Sequence, residues 1–442
     1  MKFFIKTYGC QMNVRDSEAM ASQLIASGFE QVFDENQADL LLFNTCSVRD
    51  AAERKAKGKV FEVKKLKDKR DGVIIGIVGC MAQRMGDQLL KELPHVDFVL
   101  GTGQLHKLPE IVAKLRAEHL RLSETAESAD VLTELGQHLP AGSPFAQIAI
   151  TRGCNRFCSY CIVPYVRGRE ISRSQEDIVD EARKLVDSGV REILLLGQNV
   201  AAYGLNGNIN PPPPGYSPFG ELLEKLNEID GLYRIRYTSP YVTYFNDRLI
   251  EALCKCEKVC HNIHLPLQSG SDRILKAMNR QYTATSYREY AAKLRSAIPD
   301  LTFSTDVIVG FPGETEEDFQ MTRDLMNEIG YSQSYIFKYS PRPGAKSAAM
   351  PDSVPEEVKE ERNQILLKDL ASRVEKMLEK MIGNEYEILV EGESSRNSAR
   401  WSGRTGTNFL VHFEPESGIK SGDLRKVKIL RAGGVSLLGE LS

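Results

Sequence analysis

Residues 149–161 read Ala-Ile-Thr-Arg-Gly-Cys-Asn-Arg-Phe-Cys-Ser-Tyr-Cys and place Cys154, Cys158 and Cys161 in the spacing C-x3-C-x2-C, directly after the apolar run 145–150. The run has the character of a strand emptying into a metal-binding loop. Thiolates are the ligands of iron–sulfur clusters, and a [4Fe–4S] cube has four irons. Three close thiolates with no fourth nearby leave one iron open to bind and activate a substrate. A zinc loop or buried free thiols would be the plainer use of the same residues.

Three more cysteines, Cys10, Cys46 and Cys80, lie 36 and 34 residues apart, about one βα unit each. They matter chemically only if the chain gathers them. Residues 3–7 predict a strand ending at Cys10, 16–27 a helix stopped by Gly28, and 39–44 a strand ending at Cys46. Residues 48–69 follow as a long charged helix, 73–78 as a strand ending at Cys80, and 96–100 as a further strand. Such alternation predicts a parallel sheet with right-handed crossovers. Loops at the carboxyl edge of that sheet converge, so the three thiols could form a second open cluster site. Three unrelated small residues in turns is the alternative.

The residues 118–142, rich in Ser, Ala, Thr and Glu, lose the strand pattern and suggest a linker. From 143 onward, strands are expected to 151 and at 192–196, 233–237, 262–265, 301–309 and 333–339. Helices are expected at 174–188, 219–229, 247–255, 271–279, 286–297 and 316–329. Six βα units fall short of a closed eight-unit barrel, so a partial barrel with its site at the carboxyl strand edge is expected. Gln198 and Asn199 end one strand, and Asp306 lies on another that runs into Gly310-Phe311-Pro312-Gly313-Glu314-Thr315. Gly310 and Gly313 permit close backbone approach, and the next helix offers N–H groups to a polar ligand. A plain turn would look the same.

Residues 356–382 suggest a charged connecting helix, and 385–390, 407–413 and 424–430 are short alternating runs that suggest a small β-barrel. Arg396, Arg400, Arg404, Lys420, Arg425, Lys426 and Lys428 surround the sole tryptophan, Trp401, which suits nucleic acid or a solvated edge. Between 152 and 173, Arg152, Arg156, Arg167, Arg169 and Arg173 face one acid, Glu170, with Phe157, Tyr160 and Tyr165 interleaved. That patch suits a phosphate backbone and an unstacked base, or internal ion pairs. Cys254, Cys256 and Cys260, with His261 and His264, have no usual metal spacing and are assigned to packing.

At 442 residues, 42% hydrophobic and 26% charged, the chain can bury cores in two to four domains. It has no apolar leader and no apolar run of about 18 residues, so a cytoplasmic protein with no membrane association is expected. An odd count of nine cysteines argues against a disulfide framework. The net charge of -3 gives no global pull toward nucleic acid, so RNA contact must rest on local patches.

With these residues in place, the chain resembles the radical S-adenosylmethionine methylthiotransferases over nearly its whole length. Thr7-Tyr8-Gly9-Cys10-Gln11-Met12-Asn13 with Asp16-Ser17-Glu18, Asn44-Thr45-Cys46-Ser47-Val48-Arg49 and Gly79-Cys80-Met81-Ala82-Gln83 match the family's amino-terminal domain. Arg152-Gly153-Cys154 through Cys161, Pro164-Tyr165 and Arg167-Gly168-Arg169-Glu170 match its radical core. Gly403-Arg404-Thr405 and Ser436-Leu437-Leu438-Gly439-Glu440-Leu441 are similar to its TRAM domain. Gly-Cys-Gln-Met-Asn at 9–13 is most similar to the branch that methylthiolates N6-isopentenyl (dimethylallyl) adenosine beside the tRNA anticodon. The branches acting on threonylcarbamoyl-adenosine tRNA or a ribosomal protein aspartate usually differ there. A histidine expected after Ser239 is replaced by Pro240, and the prolines at 211–214 are unusual, which leaves local substrate contacts open.

The resemblance implies a parallel-sheet domain at 1–120, a linker at 121–142, a partial (βα)6 radical core at 143–375 and a TRAM barrel at 376–442. It implies that Cys154, Cys158 and Cys161 hold the [4Fe–4S] cluster that binds S-adenosylmethionine and cleaves it to a 5′-deoxyadenosyl radical. Gln198, Asn199, Asp306, Gly310 and Gly313 are the expected contacts to that cofactor. Cys10, Cys46 and Cys80 would hold an auxiliary [4Fe–4S] cluster whose open iron carries the sulfur. One S-adenosylmethionine would methylate that sulfur, and the radical from another would take the adenine C2 hydrogen before methylthio transfer. Arg167, Arg169, Arg400 and Arg404 are the expected contacts to the anticodon stem-loop. An electron donor such as flavodoxin or ferredoxin, an unidentified sulfur donor and a monomeric state complete the expectation. A non-catalytic iron–sulfur RNA-binding protein is the rival of another class.

Overall fold

The first sheet holds six parallel strands, β1 (Lys2–Thr7), β2 (Glu30–Gln31), β3 (Leu40–Thr45), β4 (Ile74–Gly79), β5 (Phe98–Leu100) and β6 (Leu122–Glu124), in the order β2-β1-β3-β4-β5-β6. They come from a computed structural model that describes residues 1–47, 50–118, 120–126, 136–140, 142–205, 211–394 and 397–442. Val48, Arg49 and Arg396, residues 127–135 of the expected linker and residues 206–210 before the prolines lie outside the described residues. Every residue of β3 and β4 is buried, as central strands covered on both faces must be. Leu40 and Leu42 pack toward helices Gln11–Ala26 and Leu108–Glu118, while Leu41 and Phe43 pack toward helix Asp50–Glu62. That alternation is the two-residue period of a strand. The charged helix expected at 48–69 divides at Val63 into Asp50–Glu62 and Lys64–Lys69. The stretch 118–142 is not strandless: β6 pairs parallel with β5, its edge position demanding little apolar sequence.

The second unit contains β7 (Phe145–Ala149), β8 (Thr151–Arg152), β9 (Ile171–Ser172), β10 (Glu192–Leu196), β11 (Arg234–Tyr237), β12 (Asn262–His264), β13 (Thr302–Val309) and β14 (Gln333–Lys338). Parallel triplets β7-β10-β11 and β12-β13-β14 are stitched together where Ile235 N donates to Lys258 O at 2.7 Å and Cys260 N to Ile235 O at 2.9 Å. The result is the expected partial barrel, filled by one large apolar core. Strands β8 and β9 pair antiparallel beside the mouth. Helix Gln11–Ala26 of the first unit comes alongside β7.

Helix Glu356–Glu379 contributes Leu366 to the core of the partial barrel and Val374 and Leu378 to that of the third unit. There β15 (Glu385–Ser394), β16 (Asn397–Thr405), β17 (Leu410–Phe413), β18 (Leu424–Gly433) and β19 (Ser436–Leu441) close into a barrel. Alternation predicts only three of these five strands; it misses β19 and also β16, which is small and polar and buries Ser402 and Thr405 in place of aliphatic residues. The small barrel docks on the amino-terminal end of the core strands. Arg236 Nη2 donates to Thr405 O at 2.9 Å, and Thr302 Oγ1 to Thr407 O at 3.1 Å. The cysteine loop after β7 is at the other end.

Leu42→Ala, at a fully buried position of the central β3, is expected to destabilise the first unit by about 2–5 kcal/mol. A urea titration followed by far-ultraviolet circular dichroism measures it, and an unshifted midpoint would contradict the packing described.

Candidate active site

Cys10, Cys46 and Cys80 follow the carboxyl ends of β1, β3 and β4, and an amide network gathers them. Asn13 Nδ2 donates to Asn44 Oδ1 at 3.0 Å and to Thr45 O at 3.1 Å, and Asn44 Nδ2 donates back to Asn13 O at 2.7 Å. Asn44 Nδ2 also reaches Ser17 Oγ at 3.0 Å, which contacts Thr7 Oγ1 at 2.7 Å. The family-like motifs are therefore largely scaffold. Gly9 lies so close that a Cβ there would stand 2.8 Å from the Cys46 Cβ. Cys10 is the N-cap of helix Gln11–Ala26. Burial pushes the Cys80 thiol up to about 11, against the pull of Arg167 and with Cys46 and Cys10 near enough to add to it.

The second loop is pinned from several sides. Cys154 N donates to Gly168 O at 3.1 Å, Ser159 N to Met278 O at 3.0 Å and Ser347 N to Ser159 O at 2.7 Å. Gly153, at φ +74, sits where a Cβ would stand 2.0 Å from the Arg169 carbonyl. Burial pushes the Cys154 thiol up to about 11 and the Cys161 thiol higher still, with Cys158 adding to both. Cys158 receives an N–H from Arg280 Nη1 at 3.4 Å.

The two loops meet across one short helix, Val163–Arg167. Cys80, Ile162 and Val166 form a single buried apolar cluster. From the end of that helix, Arg167 Nε donates to Cys80 Sγ at 3.2 Å, and its Nη2 pairs with Asp16 Oδ2 at 2.8 Å. Both trios suit an iron–sulfur group by their donor chemistry: three thiols, two of them buried and one, Cys10 or Cys161, half-buried, with a guanidinium N–H on one sulfur. Metal binding deprotonates such thiols outright. Among the described residues, no three His, Cys, Asp or Glu side chains gather as ligands of a single metal ion. A cube asks for a different arrangement, because each of its irons takes its own thiolate.

Gln198 Oε1 accepts from Gly153 N at 2.9 Å, which ties the end of β10 to the cysteine loop. Asn199 is buried; its Oδ1 accepts from Tyr241 N at 2.9 Å and its Nδ2 has no partner among the described residues. Asp306 Oδ2 stands 3.5 Å from His264 Nε2. The glycine turn is less open than its sequence suggests. Gly310 N donates to Glu314 Oε2 at 2.5 Å, and Gly313 N to Ser353 Oγ at 3.1 Å. Helix Glu316–Ile329, expected to offer N–H groups, is closed by a capping box between Thr315 and Asp318.

The basic patch at 152–173 is mostly spent internally. Arg167 is 2% exposed at its side chain and holds Asp16, so it is not offered to a phosphate. Arg173 bonds Glu181 and Ala149 O, Arg156 bonds Gln281 and Tyr244, and Arg152 bonds Thr102 O. Arg169 alone is exposed, stacked 4.4 Å over the Phe157 ring, which meets Tyr165 edge-on at 5.9 Å. On the small barrel, Arg404 pairs with Glu391 at 2.8 Å and Arg400 is half-buried. Lys426 lies across from Glu387, and Lys428 from Glu385 and Glu440, which cancels much of the local charge. Trp401 packs against the barrel core. Cys256 and Cys260 are buried, in keeping with packing, whereas Cys254 is exposed. Arg280 carries no signal in the sequence, whereas Glu170 is visible as the lone acid of its stretch.

Burial lifts the Glu170 carboxyl from 4.5 to about 7, against the pull of Arg156, and its Oε1 is buried without a partner among the described residues. A carboxyl raised by folding contributes fully below its ordinary range, and that contribution is lost as pH rises through 7. Glu170→Gln should match the parent chain near pH 4.5 and exceed its stability at pH 8 by up to roughly 3 kcal/mol. Thermal midpoints at the two pH values check this; an equal difference at both would contradict it.

Three family profiles match: the Radical SAM superfamily over residues 148–326, the uncharacterized protein family UPF0004 over 2–101 and the TRAM domain over 379–442. A protein of Opitutus terrae named tRNA-2-methylthio-N(6)-dimethylallyladenosine synthase is 44% identical, with 99% of this chain and 96% of that protein covered. A protein of the same name from Clostridium beijerinckii is 43% identical, with 99% and 95% covered. The solved radical S-adenosylmethionine methyltransferase TsrM of Kitasatospora setae shares the fold, with TM-score 0.57, 14% identity and 78% of this chain and 75% of that chain covered. The cobalamin-dependent S-adenosylmethionine radical enzyme OxsB does so with TM-score 0.53, 12% identity and 85% and 56% covered. With its buried cysteine loop at the mouth of a partial barrel and these relatives over nearly its full length, the chain belongs to the radical S-adenosylmethionine methylthiotransferases, in the branch of the tRNA-2-methylthio-N(6)-dimethylallyladenosine synthases.

Proposed function

We propose that the protein is a cytoplasmic, monomeric enzyme that methylthiolates C2 of N6-isopentenyl (dimethylallyl) adenosine adjacent to the anticodon of tRNA, using two [4Fe–4S] clusters. The observation that carries this reading is the pair of largely buried cysteine trios that meet at helix Val163–Arg167, which follows Cys161 and packs on Cys80. Cys154, Cys158 and Cys161 would hold the cluster that binds S-adenosylmethionine, and Cys10, Cys46 and Cys80 the auxiliary one. Bound there, the clusters and S-adenosylmethionine supply a radical for the adenine C2–H bond and a methylthio sulfur for the same carbon.

The chain's own residues bind, orient and keep water out. Gln198 fixes the backbone of Gly153 and so the attitude of the first loop. The unpartnered Nδ2 of Asn199 is a donor for a polar group of S-adenosylmethionine. Asp306, Gly310 and Gly313 shape the opposite wall, Gly310 held by Glu314 and through it by Arg362 at 2.8 Å. Exposed Arg169, with Phe157 and Tyr165, offers a stacking face to an unpaired base at the mouth. Because the small barrel docks at the far end of the core, Arg400 and Arg404 would hold the stem and not the modified base. An electron from a donor such as flavodoxin or ferredoxin and sulfur from an unidentified donor come from outside.

Mass spectrometry of tRNA nucleosides from a deletion strain should show loss of 2-methylthio-isopentenyladenosine and gain of its unthiolated precursor. An unchanged level would overturn the substrate assignment. Separately, replacing Cys10, Cys46 and Cys80 by Ala should leave about four irons per chain and retain S-adenosylmethionine cleavage to 5′-deoxyadenosine. Loss of all iron would contradict the two-cluster reading.

A further inference from the structure

Arg280 lies just beyond helix Asp272–Ala277, and all three of its guanidinium nitrogens are engaged. Nε donates to the Tyr282 hydroxyl at 2.9 Å, Nη2 to Pro266 O at 3.3 Å and Nη1 to Cys158 Sγ at 3.4 Å. Two rings hold the guanidinium in place, Tyr241 at 4.4 Å and Tyr282 at 5.0 Å from it. Every named partner is a neutral oxygen, an aromatic ring or the sulfur, and among the described residues no carboxylate pairs with this cation. A desolvated cation without a counter-charge is costly. The negative charge of a thiolate-ligated cube would offset it.

The other trio is built differently. Arg167 also donates to a sulfur, Cys80 Sγ at 3.2 Å, but Asp16 at 2.8 Å cancels its charge. The two sites therefore share one N–H···S contact and differ in the cation that makes it, Arg167 being paired with a carboxylate and Arg280, among the described residues, not.

We infer that Arg280 sets the reduction potential of the cluster held by Cys154, Cys158 and Cys161, raising it through a fixed cation and an N–H bond on the Cys158 sulfur. The inference rests on the reading of that loop as a [4Fe–4S] site. Reduction adds one electron from an external low-potential donor, with no bond made or broken, and leaves the site more negative. A cation fixed beside the sulfur stabilises the reduced form more than the oxidised one. Arg280 acts through Cys158 and not on the reacting atoms, which makes it a positioning residue.

The test uses the full chain carrying Cys10→Ala, Cys46→Ala and Cys80→Ala, so that one cluster remains, alone and with Arg280→Gln or Arg280→Lys. Each is reconstituted anaerobically and titrated reductively while the reduced signal is followed by electron paramagnetic resonance. About four irons per chain are expected throughout. The lysine variant should titrate with the parent, and the glutamine variant should show at least a tenfold smaller ratio of reduced to oxidised cluster at the same potential, a midpoint lower by about 59 mV or more. A glutamine variant that titrates with the parent, or a lysine variant that falls as far as the glutamine one, overturns the inference. Iron lost from both variants but kept by the parent also overturns it, because Arg280 would then belong to the fold of the loop. Should the triple-alanine parent hold no iron, the series is read in the wild-type background, where added S-adenosylmethionine perturbs this site's signal. A wild-type chain that takes up no iron defeats the cluster assignment itself, and the inference with it.

Discussion

The contact of Arg167 with Asp16 and Cys80 joins the two halves of the site. A buried ion pair contributes little net stability unless its geometry is good and its remaining hydrogen-bonding atoms are used. Here the guanidinium reaches Asp16 Oδ2 at 2.8 Å and the Cys80 sulfur at 3.2 Å, while its Nη1 is buried with no partner among the described residues, so the contact aligns the two loops more than it stabilises them; the residues just before it pack on Cys80 itself. Thr102 Oγ1 adds a bond to Val166 O at 2.6 Å. The carboxyl ends of two separate parallel sheets are thereby held against one helix of five residues, Val163–Arg167. The proposed division of chemistry between two cysteine trios would need that alignment, because a small shift between reacting groups costs rate heavily.

Each trio is gathered by a different device. In the first sheet the cysteines are a βα unit apart, and the reciprocal amide bonds of Asn13 and Asn44 draw the strand-end loops together. In the core, local spacing does the work and the loop is anchored on Gln198, Met278 and Ser347. The glycine turn at the opposite wall is braced from behind by Glu314 and Arg362. Arg362 belongs to the helix that carries the small barrel, so the wall and the third unit share one rigid element.

Much of this was legible in the sequence, for physical reasons. The C-x3-C-x2-C spacing is local, and the alternation of strands with amphipathic helices sets a parallel topology whose loops converge. The strand-end positions of Cys10, Cys46 and Cys80 made their grouping possible, and the motifs around them, through the resemblance, favoured it over three unrelated residues in turns. The arginines between 152 and 173 were legible as charge but not as partners. Arg167, Arg173 and Arg152 are spent on groups from 16 to 181 that only the fold brings near. The closed N-terminus of helix Glu316–Ile329 follows from the side chains of Thr315 and Asp318, visible in hindsight as a capping pair. Arg280 could not be found in advance, since a lone arginine after a helix has no pattern until Tyr241, Tyr282 and Cys158 surround it. Strand β16 was hidden by its polar, glycine-containing sequence, and β6 by its length of three residues.

The central claim is that the two cysteine trios meeting at helix Val163–Arg167 each hold an iron–sulfur group. Anomalous scattering at the iron edge, measured on crystals of the anaerobically reconstituted chain, tests it most directly. Two peaks are predicted, one bounded by Cys10, Cys46 and Cys80 and the other by Cys154, Cys158 and Cys161. A single peak, or iron bound at Cys254, Cys256 and Cys260, would contradict it.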